Sequence, residues 1–246
     1  MKINIVSTDK RYMYLSQLLL SDGHDVKIVT CDRVDTCDAL ILPLRQESSD
    51  SQLECMLKGI DSNTLVVSGY SDKIKELFDG VVFDYSGSEM LLQGNAYLTA
   101  EATIPVVLEE TERSLKGMKL FVSGYGRIGR ALCRLFSSLG AKVFAYARRD
   151  EVKGEVLADG YSYAAIEYAP NCDVIINTAP AIVFTKKLID EIPQGTTIIE
   201  LASSPGGFES TERVVKASGL PGKVLPKSAS KYIYDAIKPL FPSEKG

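Results

Sequence analysis

Leu120-Phe121-Val122-Ser123-Gly124-Tyr125-Gly126-Arg127-Ile128-Gly129-Arg130-Ala131-Leu132 decides the reading of this chain, because it runs from an apolar strand through three spaced glycines into a helical stripe. The stripe continues through Ile128, Leu132, Leu135, Phe136 and Leu139, the period of a helix with one buried face. Between strand and helix each glycine has a task. Gly124 makes the tight turn, Gly126 lets a pyrophosphate approach the backbone, and Gly129 lets helix and strand pack closely. The pyrophosphate then rests on the helix N-terminus, where unpaired N–H groups and the dipole favour an anion. The expectation is a Rossmann dinucleotide-binding domain, with Gly124, Tyr125, Gly126, Arg127 and Ile128 as cofactor-binding candidates. A glycine-rich turn without a ligand is the plain alternative.

The strand expected next, Lys142 to Tyr146, leads into Ala147-Arg148-Arg149-Asp150. About twenty residues past the glycines, an NAD-binding protein presents an acid to the ribose 2′-hydroxyl. Two guanidinium groups suit a 2′-phosphate instead, which an acid repels. NADP(H) is therefore the expected cofactor, held through Arg148 and Arg149, with Asp150 as the acid should NAD be bound. Two further strand ends complete the nucleotide site, since ligands in open α/β sheets bind beyond the carboxyl ends of the strands. One supplies Thr178, Ala179 and Pro180 after Asn177; the other supplies Ala202 and Ser203 in a loop of small residues that ends in Gly206-Gly207. Either stretch can also be read as a simple turn.

Outward from this core, apolar runs alternate with helical stretches, the pattern of β-α units around parallel sheets. Strands are expected at Ile3 to Ser7, Asp25 to Val29, Ala39 to Leu42, Leu65 to Ser68 and Val81 to Phe83, with a helix striped by Tyr12, Leu15, Leu18 and Leu19 between the first two. Few turn residues interrupt Glu89 to Arg113, so one or two helices carry the chain into the second domain. That domain adds strands at Leu120 to Ser123, Asp173 to Asn177 and Thr197 to Leu201, and a short one at Lys223 to Leu225. A last helix from Ser228 to Lys238, striped by Ala229, Tyr232, Ile233, Ala236 and Ile237, is expected to pack back on the first domain. The fold class is α/β: two open parallel-sheet domains, 1–113 and 114–226, the second of Rossmann type, with 227–246 as the returning helix and a frayed end from Pro242 to Gly246.

Composition narrows the function. In 246 residues with a net charge of −4, the lysines and arginines are scattered rather than clustered, so nucleic acid is not an expected partner. The longest apolar runs fall far short of the roughly 20 residues that span a bilayer, and the opening Met1-Lys2-Ile3-Asn4-Ile5-Val6 starts a strand at once, so a cytoplasmic protein is expected. Five cysteines without a C-x-x-C pair give no disulfide framework and no thiolate metal site. The single histidine, His24, reads as a turn residue before a strand, which argues against histidine-based metal sites, Ser-His-Asp hydrolysis and the histidine acid/base of ordinary 2-hydroxy acid dehydrogenases.

The loop Leu220-Pro221-Gly222-Lys223-Val224-Leu225-Pro226-Lys227-Ser228 brings two lysines to the start of the last helix, with Ser228 as its expected N-cap. There they can form an anion site or simply be solvated. Together with Leu98-Thr99-Ala100-Glu101-Ala102, the glycine turn, Asn177 to Ala181 and Leu201 to Gly207, this stretch resembles the A-subunit family of dipicolinate synthase. Before Leu98 the likeness reduces to Asp9-Lys10-Arg11 and Gly23-His24-Asp25-Val26. Departures are Phe208-Glu209-Ser210, where a Thr-Asp-Phe run is usual, and Ser7-Thr8, where glycines are usual.

The resemblance implies a two-domain dehydrogenase-like fold with NADP in the cleft, acting on a cyclic dihydro- or hydroxytetrahydro-dipicolinate in spore-forming bacteria, with a flavoprotein-like second subunit. On that basis Lys223, Lys227 and Arg11, or its neighbour Lys10, are expected to meet substrate carboxylates. Thr99 or Glu101 is expected to handle a proton, with Lys227 as a further catalytic candidate. A homo-oligomer is also expected. The rivals are a dehydrogenase of another hydroxy or keto acid, in the manner of shikimate dehydrogenase, and a nucleotide-binding subunit without chemistry of its own.

Overall fold

The structure, a computed structural model, describes residues 1–32, 34–210 and 212–242. Residues 243–246, and with them most of the frayed end expected from sequence, lie outside the described residues. The chain divides into two compact units, Met1–Asn95 with Leu225–Gly246, and Ala96–Val224.

In the first unit, β1 (Lys2–Val6) leads into α1 (Lys10–Ser21), β2 (Asp25–Val29) and β3 (Ala39–Ile41). Then come α2 (Asp50–Lys58), β4 (Leu65–Ser68), α3 (Ser71–Leu77) and β5 (Val82–Asp84). The strands form one parallel sheet in the order β2-β1-β3-β4-β5. Asp9 caps α1 by accepting from the Arg11 N–H at 2.8 Å, and Gly23, at φ 95°, lets the chain turn out of the helix. The helical stripe read from sequence is the buried face, with Tyr12, Leu15 and Leu19 all fully inaccessible. Expectation did not include α2, although Ser49 and Gln52 form a full capping box at its start.

A single helix, α4 (Glu89–Thr111), follows, with Pro105 inside it. The unit boundary falls within this helix, between Asn95 and Ala96, rather than at residue 113. The second unit holds β6 (Lys119–Ser123), α5 (Arg127–Ser138), β7 (Lys142–Tyr146), α6 (Asp150–Ala158) and β8 (Ser162–Tyr163). It continues with β9 (Val174–Asn177), α7 (Lys186–Glu191), β10 (Thr197–Glu200), β11 (Val214–Lys216) and α8 (Leu220–Val224). Its six strands are parallel in the order β11-β10-β9-β6-β7-β8. Counted from β6, that is the doubly wound order of the Rossmann fold, with the reversal of strand order between β6 and β9.

One expected strand is absent. Lys223 to Leu225 lies at the end of α8, where Leu220 and Pro221 are buried and proline suits a first helical turn. The apolar Val224-Leu225 pair suggested a strand, but the outer strand is β11.

The chain ends, as far as it is described, in α9 (Pro226–Ile237), which returns to the first unit. Ile233, Tyr234 and Ile237 join Ile3, Ile5, Tyr12, Leu15 and Leu19 in one core cluster, so α9 packs on the first unit as expected. Its N-cap is Leu225, with Pro226 in the first turn, so Ser228 lies inside the helix rather than capping it.

Candidate functional site

The glycine turn stands at the reversal point of the second sheet. Gly124 adopts φ 94° and its N–H donates to the Tyr146 carbonyl at 2.9 Å, tying the turn to the end of β7. On the other side, the Thr178 hydroxyl donates to the Ser123 and Gly124 carbonyls at 3.0 and 3.3 Å. A side chain at Gly129 would overlap the Gly124 carbonyl oxygen, so only glycine permits this packing of α5 on the turn. A Cβ at Gly126 would meet nothing within 4 Å. Gly126 is the N-cap of α5 and no side chain caps that end. At the end of β6, the hydroxyl of Ser123 is buried without a hydrogen-bond partner among the described residues. A glycine kept where there is open space, at an uncapped helix N-terminus, fits a diphosphate.

Tyr125 does not offer its ring to this space. Its hydroxyl donates to Asp159 Oδ2 at 2.7 Å, and the Arg130 guanidinium lies 4.7 Å from the ring centre while also bonding Asp159 and Glu155. Burial and the Asp159 carboxylate hold the phenol well above its ordinary pKa. The side chain staples the turn before α5 to the end of α6, which leaves the Tyr125 backbone to face a ligand. Arg127 and Ile128 occupy the first turn of α5, exposed and half-buried respectively. Arg148 and Arg149 are both exposed just past β7, next to the glycine turn, and neither makes an ion pair among the described residues. Arg149 is the N-cap of α6, and Asp150 opens that helix.

At the ends of β9 and β10, Thr178, Ala179 and Ala202 are half-buried while Pro180 and Ser203 are exposed. What joins the two loops is a residue that sequence reasoning missed. Glu200 Oε1 accepts from the Asn177 amide at 2.8 Å and from the Ala202 N–H at 2.9 Å, and its Oε2 accepts from the Gly207 N–H at 2.7 Å. Its sequence signal was an acid closing the apolar strand Thr197-Ile198-Ile199 directly before a loop of small residues. The Phe208 departure is also explained: its ring stacks on Phe184 at 4.5 Å, and the Glu209 carboxylate accepts from the Lys186 N–H at 2.6 Å, near the start of α7.

The expected substrate and catalytic residues divide between the units, with Thr99, Glu101 and Lys223 in the second and Lys10, Arg11 and Lys227 in the first. Thr99 is 6% exposed and Glu101 is open to solvent. Two residues apart on α4, they point about 200° apart around its axis, so they cannot serve one point together. Lys223 on α8 donates to the Ser218 carbonyl at 2.9 Å. Lys227 is exposed in the first turn of α9 and borders a cavity of about 630 Å³ with Tyr14, Ser228, Lys231 and Tyr232. Lys223 and Lys227 thus fall in different units. Lys10 is exposed, but Arg11 is engaged with Asp9, its Nη2 lying 2.6 Å from Oδ2. Arg11, expected to meet a substrate carboxylate, thus already pairs with a carboxylate of its own chain.

A larger cavity of about 980 Å³ opens at the carboxyl ends of β1, β2 and β3. Ser7 and Thr8 line it where glycines were expected, and they hold the Glu47 carboxylate: Ser7 Oγ at 3.1 Å and the Thr8 N–H at 3.1 Å. Asp32 and Asp35 also line it. His24, rather than a surface turn residue, is 3% exposed at the amino edge of the first sheet, edge-on to Phe241. It lies at the opposite edge from the carboxyl end of that sheet.

Comparison with known proteins agrees with this geometry. Residues 93–194 match the D-isomer specific 2-hydroxyacid dehydrogenase, NAD binding domain family, which supports a nicotinamide dinucleotide as the cofactor. The chain is 24% identical to the dipicolinate synthase A-subunit of Bacillus subtilis, over 98% of this chain and 96% of that protein. The crystal structure of the dipicolinate synthase A-subunit from Bacillus halodurans superposes with a TM-score of 0.82 at 26% identity, over 97% of both chains. A transhydrogenase from Sinorhizobium meliloti shares the fold, with a TM-score of 0.73 at 19% identity over 98% of this chain and 93% of that one. The resemblance read from the sequence is borne out along nearly the whole chain, as is the fold class of two parallel-sheet α/β units. Among the described residues no helix is long and apolar enough to cross a membrane.

Proposed function

We propose that this chain, similar over almost its entire length to the dipicolinate synthase A-subunit, is the NADP(H)-binding component of an oxidoreductase that forms dipicolinate from a dihydro- or hydroxytetrahydro-dipicolinate. The observation that carries the nucleotide half is the uncapped, unobstructed N-terminus of α5 at Gly126. Gly124, Gly126, Arg127 and Ile128, with the backbone of Tyr125, receive the diphosphate, and Arg148 and Arg149 take the 2′-phosphate. Thr178, Ala179, Pro180, Ala202 and Ser203 border the remainder of the nucleotide. When bound, the nicotinamide supplies a hydride donor or acceptor.

In the first unit, Lys227 meets a substrate carboxylate at the start of α9, where its ammonium and the first N–H groups attract the same anion. Glu101, which is exposed, is favoured over the buried Thr99 to move a proton. Arg11 retains an Nη1 that its pairing with Asp9 does not use. A homo-oligomeric assembly, a flavoprotein-like second subunit, a cytoplasmic location and a role in sporulation belong to the same proposal. Dipicolinate formation measured with this chain alone, with a candidate second subunit, and with neither tests it. Formation only when both are present supports the reading, and none in any mixture overturns it.

A dehydrogenase of another hydroxy or keto acid is the second reading, favoured by the match of residues 93–194 to the 2-hydroxyacid dehydrogenase domain. The burial of the sole histidine counts against its usual acid/base chemistry.

A further inference from the structure

Glu200 is a buried acid that the reading above leaves without a task. It is 8% exposed, all three of its hydrogen-bond partners are N–H donors, and no lysine or arginine pairs with it among the described residues. That pattern suits a carboxylate, which accepts through both oxygens. The network is held tightly. Gly206 sits at φ 82°, and a Cβ there would stand 2.7 Å from Glu200 Oε2, while a side chain at Gly207 would overlap the Asn177 amide. Backbone is pressed onto the carboxylate from two sides. A buried anion held only by neutral dipoles is costly, and a cation close by offsets that cost.

The sheet order says what cation that is. The glycine turn follows β6 and the two arginines follow β7, on one side of the reversal point; β9 and β10 lie on the other. A dinucleotide with its diphosphate at the turn and its 2′-phosphate at Arg148 and Arg149 carries its nicotinamide half over the ends of β9 and β10. The oxidised nicotinamide ring is cationic and the reduced ring is neutral.

We infer that Glu200 is a positioning residue that ties the loops after β9 and β10 together beneath the nicotinamide, and that its uncompensated charge sets the preference for the oxidised over the reduced ring. This rests on the nicotinamide reading of the second unit. It assigns no chemistry to Glu200, which acts through the loops and through its field.

Titration of the purified chain with NADP⁺ and with NADPH, by calorimetry and nicotinamide fluorescence, tests the inference without any turnover. Glu200→Gln removes the charge at nearly constant size, its amide oxygen keeping the Asn177 and Ala202 bonds while its NH2 gives up the bond from Gly207. It is expected to raise the ratio of the NADP⁺ Kd to the NADPH Kd about fivefold or more, the sense in which a lost anion acts on a cation. Asn177→Ala loosens the same network but keeps the charge, so both Kd values should rise by similar factors with the ratio unchanged. If Glu200→Gln shifts both Kd values equally, or neither, the charge has no such role and the inference falls. Should Glu200→Gln not fold, Glu200→Asp carries the test: both affinities should weaken with the ratio within twofold of wild type, and a changed ratio or unchanged affinities overturn the idea. Wild-type protein that binds none of NADP⁺, NADPH, NAD⁺ and NADH would sink the nicotinamide reading itself, a result distinct from all of these.

Discussion

Gly129 packs so closely on Gly124 that any side chain at Gly129 would overlap the Gly124 carbonyl oxygen, whereas Gly126, three residues earlier, faces open space. The three glycines of one motif thus serve different ends. Gly129 serves the fold, Gly124 serves both through its positive φ, and Gly126 has no structural reason to be glycine.

Gly126→Val should therefore fold normally, with a stability change within about 0.5 kcal/mol, because its φ of −84° suits any residue and its Cβ meets nothing. Affinity for NADPH should nevertheless fall by at least about tenfold. Gly129→Ala should show the reverse order of effects, losing about 1–3 kcal/mol of stability through overpacking. Chemical denaturation of both variants, paired with NADPH titration, checks this. Unchanged nucleotide affinity in folded Gly126→Val would place the diphosphate elsewhere.

Arg148 and Arg149 are exposed and carry no ion pair among the described residues, so their replacement costs the fold little. NADPH should bind more tightly than NADH by about 1.5–3 kcal/mol, the range for hydrogen bonds to charged groups. The double variant with alanine at both positions should abolish that preference while leaving NADH binding unchanged. Equal affinities for the two cofactors in the wild type would refute the assignment.

Lys227→Ala should weaken binding of pyridine-2,6-dicarboxylate by at least tenfold, about 1.4 kcal/mol, and leave NADPH affinity near its wild-type value. Competition calorimetry with the two ligands separates the roles. Loss of NADPH binding with dicarboxylate binding intact would make Lys227 a phosphate ligand instead.

Asp173 links β9 to the start of β6, accepting from the Lys119 N–H at 2.8 Å and from the Arg113 guanidinium at 2.8 Å. The backbone bond from Lys119, then the Arg113 contacts, outweigh burial and hold its pKa below the ordinary 3.8. A depressed carboxylate pKa adds stability that is complete above the unfolded value and disappears as pH falls through the folded one. The stability gap between wild type and Asp173→Asn should thus be constant at neutral pH and shrink only below pH 3.8. Urea denaturation at pH 6 and pH 3 measures it, and a gap that is the same at both would show that the charge contributes nothing.

The parts of this molecule set by local rules were legible in the chain. Short apolar runs marked the long strands, a 3.6-residue apolar period marked α1, and the spacing of Gly124, Gly126 and Gly129 between strand and helix marked the nucleotide turn. Short elements escaped because their apolar residues are few. β8 has two residues and β11 three, while Val224 and Leu225 imitate a strand at the end of α8. What the sequence does not display is side-chain pairing: Arg11 meets Asp9, and the Tyr125 hydroxyl meets Asp159, 34 residues away. Glu200 showed only as an acid closing an apolar strand, and its task was hidden because two of its three hydrogen bonds come from Asn177 and Gly207, brought together by the fold.

The hydroxyl of Tyr234 donates to Asp22 at 2.5 Å across a sequence separation of 212 residues. The first unit therefore begins to be synthesised early but lacks a wall of its core until residues 226–237 exist. The second unit has all of its parts in one continuous stretch by residue 224. On a ribosome the order of completion is then the reverse of the order of initiation, and the apolar faces of α1 and β1 wait exposed through the making of the whole nucleotide unit. Closing so long a loop is slow relative to local folding, so the interval before α9 docks is when this protein is most open to aggregation and to chaperone capture.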